Sequence, residues 1–412
     1  MDSFLWKYLV WLCARLDILR DFRYFCANIH FAESMKTFPI IMTTALLCAA
    51  LVSCKRDCNP FDYSRTQEIY KAGDAGVFSY RIPALVYTQN GTLLAFAEAR
   101  IASRKDVGDI DLVLRRSEDG GQTWSDAITV MDRGADHVGN PCPVVLESGR
   151  VLLVSQGTDI GSNPKVRHIF IQHSDDDGLT WSEPCEVEHN LWEPEWTHGA
   201  VGPGHAIQLK HGEHKGRIVV PSYYKIKSPE GVSGASYMIW SDDEGVTWHR
   251  SAGFIENGNE TTAAELSNGD IYINSREVLD YEGTEKIRCK RIFSWSRDGG
   301  ETLEAGQYDE NLTEPACEGS VLRYSPRGRK ADWLLYSGPD SFTGRYNLKV
   351  KLSRDLGASW KTVYQEPWVL GGYSDMAVMK DGSVAIVYES GMVDYREAIT
   401  FDIIPADVIK GR

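Results

Sequence analysis

The feature that most limits what this chain can become is an octapeptide that keeps returning. It occurs intact as Ser117–Trp124 (SEDGGQTW), Ser174–Trp181 (SDDDGLTW) and Ser241–Trp248 (SDDEGVTW). Two altered copies follow, Ser296–Leu303 (SRDGGETL) and Ser353–Trp360 (SRDLGASW). Their starts lie roughly 55 to 67 residues apart, a period typical of radial or stacked repeat folds. Each copy follows an apolar or alternating run, such as Ile110–Leu114 or Arg291–Trp295. The residue types suit a hairpin turn. The Asp carboxylate accepts backbone N–H groups, Gly supplies a positive φ, the hydroxyls tie the ends, and Trp packs back between strands. One turn of this kind per four-stranded unit predicts an all-β propeller. Five boxes and one unit without a box predict a six-bladed β-propeller. A calcium loop would need alternating acidic positions and a distal Glu, which SDDDG lacks, so the boxes are read as structural.

Composition narrows the function classes. The net charge is -14 and the pI about 5.2, which argues against nucleic-acid binding by bulk charge. It leaves room for a local basic site. The nine cysteines are scattered without a C-x-x-C pair, so neither zinc nor a disulfide scaffold is expected. No metal or organic cofactor is implied.

The N-terminus reads as targeting sequence. Met35-Lys36 opens a segment whose apolar run ends at Leu51-Val52-Ser53-Cys54. This resembles a lipoprotein-type signal peptide over 35–53, with Cys54 as the lipidated first residue of the mature protein. Residues 1–34 then read as an upstream extension ahead of the true start, and 54–412 as a single catalytic domain. An ordinary cleaved signal, or a membrane-associated helix over 5–20, are the alternatives. The expectation is export to the periplasm, outer membrane or cell surface, anchored or secreted, as a monomer.

The chemistry concentrates in residues 77 to 124 and three later strands. Tyr80-Arg81-Ile82-Pro83 opens one strand, Asn90-Gly91 marks a hairpin, and Glu98-Ala99-Arg100 ends the next strand. An acidic loop follows with Asp106, Asp109 and Asp111. The Tyr-Arg-Ile-Pro motif together with the five boxes resembles the exo-sialidases, over about Tyr70 to Val408. That resemblance implies sialylated glycans as partners, whose terminal sugar carries a carboxylate on its anomeric carbon. Arginine offers such a carboxylate a planar, permanently charged clamp.

The implied clamp is Arg81, Arg276 and Arg345; Arg323, Arg327 and Arg329 lie near the last of these. Tyr373 is implied as nucleophile and Glu265 as the base that takes its proton. A phenol has an ordinary pKa of about 10 and needs such a base. Asp106 is the implied acid/base, with Asp109 and Asp111 as competitors. Glu389 would hold the first arginine. Glu98 and Arg100 match a pair near the sugar's ring substituents. The segments Gly202–Gln208 and Pro221–Tyr224 match loops beside the site, and His205 reads as a loop histidine. The resulting expectation is retaining release of terminal sialic acids. Three alternatives remain: a trans-sialidase, a non-catalytic sialoglycan-binding propeller, and another box-bearing hydrolase with paired carboxylates.

Overall fold

Period-2 runs between the box turns become antiparallel strands. Ser79–Tyr87 turns at Asn90-Gly91 and pairs with Leu93–Arg100, Tyr87 facing Leu93. Leu93–Arg100 then pairs with Ile110–Ser117 along its whole length. The same up-and-down meander repeats to the C-terminus. The computed structural model describes residues 63–163, 166–187, 191–229, 231–278, 289–327 and 330–411. The readings made for 1–34, 35–53 and Cys54 lie outside these residues. Arg65–Arg412 form one unit. Among the described residues, no helix is long and apolar enough to cross a membrane.

The first described strand completes the last sheet. Gln67–Lys71 pairs with Ala398–Ile404, next to Val384–Gly391 and then Leu370–Val378. This pairing ties the first described strand to the last, the closure used by propeller-like folds. Apolar faces then pack sheet against sheet in chain order. Leu85 and Leu93 meet Val387 and Phe401, Leu114 meets Val138 and Leu153, and Val144 and Val154 meet Val220 and Tyr237. Met238 meets Ala263 and Ile273, and Tyr272 meets Val321 and Leu334. The arrangement is all-β and propeller-like.

Six separate four-stranded sheets were expected, and the hydrogen bonding divides the described strands into five. The cause is local. Ile110 bridges His137 in parallel, which joins the sheet begun by Ser79–Tyr87 to the one begun by His137–Val145. The merged sheet has eight strands, and the next, built on Ile218–Ser228 and Gly231–Ser241, has six.

The box turns are stapled as their residue types suggest. Ser241 Oγ donates to Asp243 Oδ1 at 2.8 Å, Thr247 Oγ1 to Asp243 Oδ2 at 2.6 Å, and the Thr247 N–H to Oδ1 at 2.8 Å. The other four turns repeat the pattern at Asp119, Asp176, Asp298 and Asp355. The tryptophans of the first two turns reach across to strands outside their own hairpins. Trp124 packs edge-on against Phe401 and Trp181 against Phe96. Gly121 is obligatory there, since a Cβ would lie 2.3 Å from the Phe401 ring. Asp243→Ala should therefore lower the urea unfolding free energy by about 1–2 kcal/mol, the worth of one or two hydrogen bonds to a charged group, with turnover preserved. A loss of turnover exceeding the loss of folded protein would contradict a purely structural turn.

These carboxylates also carry a pH dependence. Bonds from Thr123, then from Ser117, hold Asp119 down to about 2, below the unfolded value of about 3.9. A depressed folded pKa gives stability that is present above the unfolded value and is lost as pH falls. Acid unfolding should begin below about pH 4 as these turns protonate.

Candidate active site

Neighbouring strands and the loops between them bring the charged residues together: Arg81 on Ser79–Tyr87, Arg276 on Ile271–Glu277, Glu389 on Val384–Gly391, and Asp106 and Arg345 on loops. Local backbone irregularity aims them. Register slips between Arg81 and Ala84 and again between Gly371 and Ser374. Ile82 sits at φ 55°, a genuine outlier for a β-branched residue. Such strain persists only where surroundings fix it, and it gathers at functional sites. Here Ile82 packs against Tyr373 and Cys317, and its N–H donates to Glu389 Oε1 at 3.1 Å.

Three arginines converge on Tyr373. Arg276 Nη1 donates to the Tyr373 hydroxyl at 2.9 Å. The guanidinium carbons of Arg81 and Arg345 lie 5.1 and 4.9 Å from its ring centre. The ring is 4% exposed. Burial first, then the Glu260 charge, pushes the phenol well above its usual pKa, against the pull of the arginines. Arg345 makes no ion pair among the described residues, and its Nη1 has no hydrogen-bond partner. A buried guanidinium nitrogen without a partner awaits an acceptor.

Glu389 holds the cluster together. It takes Arg81 through two bonds, Nε to Oε1 at 2.8 Å and Nη2 to Oε2 at 3.1 Å, and the Tyr373 N–H at 3.2 Å. The carboxylate is fully buried. Removing one partner of a buried pair leaves an uncompensated charge, costing about 3–5 kcal/mol. Glu389→Ala should therefore lose that much unfolding free energy in denaturant titration. A change below about 1 kcal/mol, the level of an exposed pair, would mean that water reaches this ion pair.

Arg100 and Glu98 form a second buried pair, with bonds of 3.0 and 2.8 Å. Glu98 also accepts the Asn140 N–H at 3.1 Å. Arg100 Nη1 reaches Asp106 Oδ1 at 2.7 Å, and Arg81 Nη1 reaches the same oxygen at 3.3 Å. Asp106 stands on an open loop, its side chain 81% exposed. Desolvation by the surrounding protein raises its carboxyl, but Arg100 and then Arg81 outweigh that, so the net shift is downward. Asp109 and Asp111 make no ion pair with these arginines. Asp111 faces Asp132, and burial, then the Asp132 and Asp109 charges, pushes it up to about 7.

The structure does not place Glu265 beside Tyr373. The Glu265 carboxylate accepts the backbone N–H groups of Lys210 and His211 at 2.8 to 3.0 Å. Glu260 meets Tyr373 instead: the hydroxyl donates to Glu260 Oε1, and Arg276 Nη1 donates to Oε2. Burial raises the Glu260 carboxyl, but Arg276 and the Tyr373 bond outweigh it and hold it below its usual value. It is therefore ionised at neutral pH. The physical reason is position along the strand: Glu260 lies where the ladder slips between Gly258 and Thr261, whereas Glu265 sits in regular register. Glu265 pairs with Ile271 near the turn, about five residues, or roughly 16 Å, from the end that carries Glu260.

One further residue carries no motif: the Tyr395 ring lies 5.4 Å from the Arg81 guanidinium and 4.9 Å from that of Arg345. Tyr223, in the Pro221–Tyr224 segment expected beside the site, is buried close enough to feel the Glu260 charge. Its neighbour Tyr224 stacks on Trp196 at 4.1 Å. His205 is neither free nor at this site. Its Nδ1 lies 2.7 Å from the buried Asp375, which also accepts from Ser320.

Comparison with known proteins identifies the family. Residues 91–386 match the model of the BNR repeat-like domain. The chain is 30% identical to a sialidase of Micromonospora viridifaciens over 79% of its own length, and spans about half (52%) of that protein. It is 30% identical to an exo-alpha-sialidase of Aspergillus fumigatus, covering 76% of this chain and 79% of that protein. For mouse sialidase-3 the identity is 30%, over 82% and 94%. Among solved structures, the Hadza microbial sialidase Hz136 superposes with a TM-score of 0.71 at 28% identity, over 84% of this chain and 69% of that one. A buried carboxylate–arginine–tyrosine cluster at one end of a propeller-like ring, with relatives matched over most of their length, places this chain in the sialidase family of glycoside hydrolases.

Proposed function

We propose that this protein is an exo-α-sialidase, releasing terminal sialic acids from glycans with retention through a tyrosine nucleophile. The observation that carries the reading is Tyr373, hydrogen-bonded to Glu260 and Arg276 while two further arginines flank its ring. Arg81, Arg276 and Arg345 would bind the substrate carboxylate. An anionic nucleophile would be repelled by that carboxylate, whereas a neutral phenol approaches without penalty.

Asp106 protonates the leaving glycosidic oxygen. The Tyr373 hydroxyl oxygen attacks the anomeric carbon, and its proton passes to Glu260. Water then attacks the sialyl–tyrosine bond as Asp106 takes the water's proton, and Glu260 returns a proton to the phenolate. Asp106 is held ionised in the free site by Arg100 and Arg81. A substrate carboxylate that claims Arg81 weakens that hold, so binding itself raises the acid toward its working range.

The eight-stranded sheet fits the same reading as two four-stranded blades joined by the one parallel bridge, which makes six blades in all. Export of the chain, read from residues 35–54, belongs to the same proposal. The direct test is incubation of the protein with sialyllactose and mass spectrometry of the products. Free sialic acid is the expected product. An anhydro sugar would mean transfer within the sialyl group, and intact substrate would reject the activity.

A further inference from the structure

Beside Glu260, within reach of the Arg276 charge, lies a group of basic side chains with no stated role. The strand His198–Val201 packs against both Val151–Asp159 and Val166–Ser174, and pairs with Ile218–Ser228 so that His198 opposes Lys225. This brings together Arg167, His198, Tyr223 and Lys225. The His198 Nε2 lies 3.4 Å from the Tyr223 hydroxyl, and the Lys225 ammonium 5.9 Å from the Tyr223 ring centre. Arg167 donates from Nη1 only to Thr158, at 3.3 Å, and its buried Nε has no partner. Among the described residues, neither Arg167 nor Lys225 has a carboxylate within ion-pair distance.

Charge does not balance here. Glu260 is committed to Arg276 and Tyr373. Burial, then Arg276, pulls the Lys225 ammonium below its usual pKa, and burial does the same to Arg167. His198 is driven well below its usual value by burial, then by Arg167 and Lys225, and stays neutral. Two half-buried cations with unused donors are costly unless an anion joins them. Arginine and lysine side by side suit a sulfate or carboxylate oxygen set.

Resting on the sialidase reading, we infer that Arg167, Lys225 and His198 form a second anion subsite, which takes a further negative group on the glycan beyond the carboxylate claimed by the arginines around Tyr373. That group is a sulfate ester on the terminal sialic acid or the carboxylate of an adjoining sialic acid. Both present the same anionic oxygens.

The test compares kcat/KM for three substrates on the intact protein. These are α2,3-sialyllactose, the same sugar sulfated on its terminal sialic acid, and α2,8-disialyllactose. The wild type should favour one of the two doubly charged substrates by about tenfold or more, the worth of one charge-assisted hydrogen bond. The favoured arm identifies the source of the anion. Arg167→Gln and Lys225→Met should each bring that ratio back towards one. Since a ratio within one variant cancels losses of folding or of general activity, a merely structural role leaves it unmoved. Competitive inhibition of sialyllactose cleavage by inorganic sulfate should weaken in both variants. The inference is overturned if the wild type cleaves sialyllactose but shows no preference for either charged substrate, or if the preference survives both substitutions. Failure to cleave sialyllactose at all would reject the sialidase reading itself, whereas loss of preference alone would reject only the subsite.

Discussion

Tyr373→Phe is expected to reduce kcat for sialyllactose by roughly a thousandfold or more, the scale on which deleting a covalent nucleophile acts while binding survives. The substitution removes one oxygen and little volume. The ring keeps its place beside Ile82 and Cys317 and between the Arg81 and Arg345 guanidiniums. What is lost is the hydroxyl that joins Arg276 to Glu260. Those two still pair directly, so the cost to folding should stay within the penalty of an unmade bond, about 1–3 kcal/mol. The arginines remain to hold a carboxylate, so KM should move much less than kcat. Single-turnover mass spectrometry should detect a sialylated peptide containing Tyr373 in the wild type and none in the variant. A variant with wild-type kcat and a native circular dichroism spectrum would remove Tyr373 from the reaction.

The parts of this molecule that were legible in its sequence are those whose causes are local. Each box turn closes within a few residues, from the Ser to the Thr or Ser bound by the same Asp, so its residue types alone report its geometry. Arg81 and Arg100 were legible because motif and strand end coincide. The merged eight-stranded sheet was not, because it depends on Ile110 meeting His137, a contact between turns that no period records. Tyr395 was invisible for the same reason: it approaches Arg81 and Arg345 from a loop far along the chain. Arg167 and Lys225 are likewise ordinary strand residues until folding sets their strands against His198–Val201.

Glu260 is a different case, since it could have been found. Leu266 and Asp270 close the turn at Asn268-Gly269. Counting outward from that turn places Ile271 against Glu265 and Asn274 against Thr262. Continued past Thr261 against Ser275, the same count brings Arg276 to Glu260, at the far end of the pair, where the ladder slips between Gly258 and Thr261. Once Arg276 is assigned to a carboxylate clamp, its cross-strand partner is the acid that shares its site. Glu265, set against Ile271 beside the turn, lies at the opposite end of the same strand pair.

The contrast between these two glutamates gives the sharpest test of the site. Glu260→Gln removes the group placed to take the Tyr373 proton, and turnover should fall by about 10²–10⁴-fold, the usual contribution of a positioned base. It also leaves Arg276 buried without its counter-charge, so a loss of several kcal/mol in stability is expected alongside, of the order of 3–5. Glu260→Asp keeps the charge and withdraws the oxygen from Tyr373. It should recover most of the stability and little of the turnover, which separates the two effects. Glu265→Gln keeps the Oε1 position, which accepts both the Lys210 and the His211 N–H groups. It should cost about 1 kcal/mol or less in folding, in the range of weakened hydrogen bonds, and leave kcat within a few-fold of wild type. If Glu265→Gln instead abolished turnover while Glu260→Gln kept it, the proton would be leaving Tyr373 by another route, and the Tyr373–Glu260 hydrogen bond would be a packing feature.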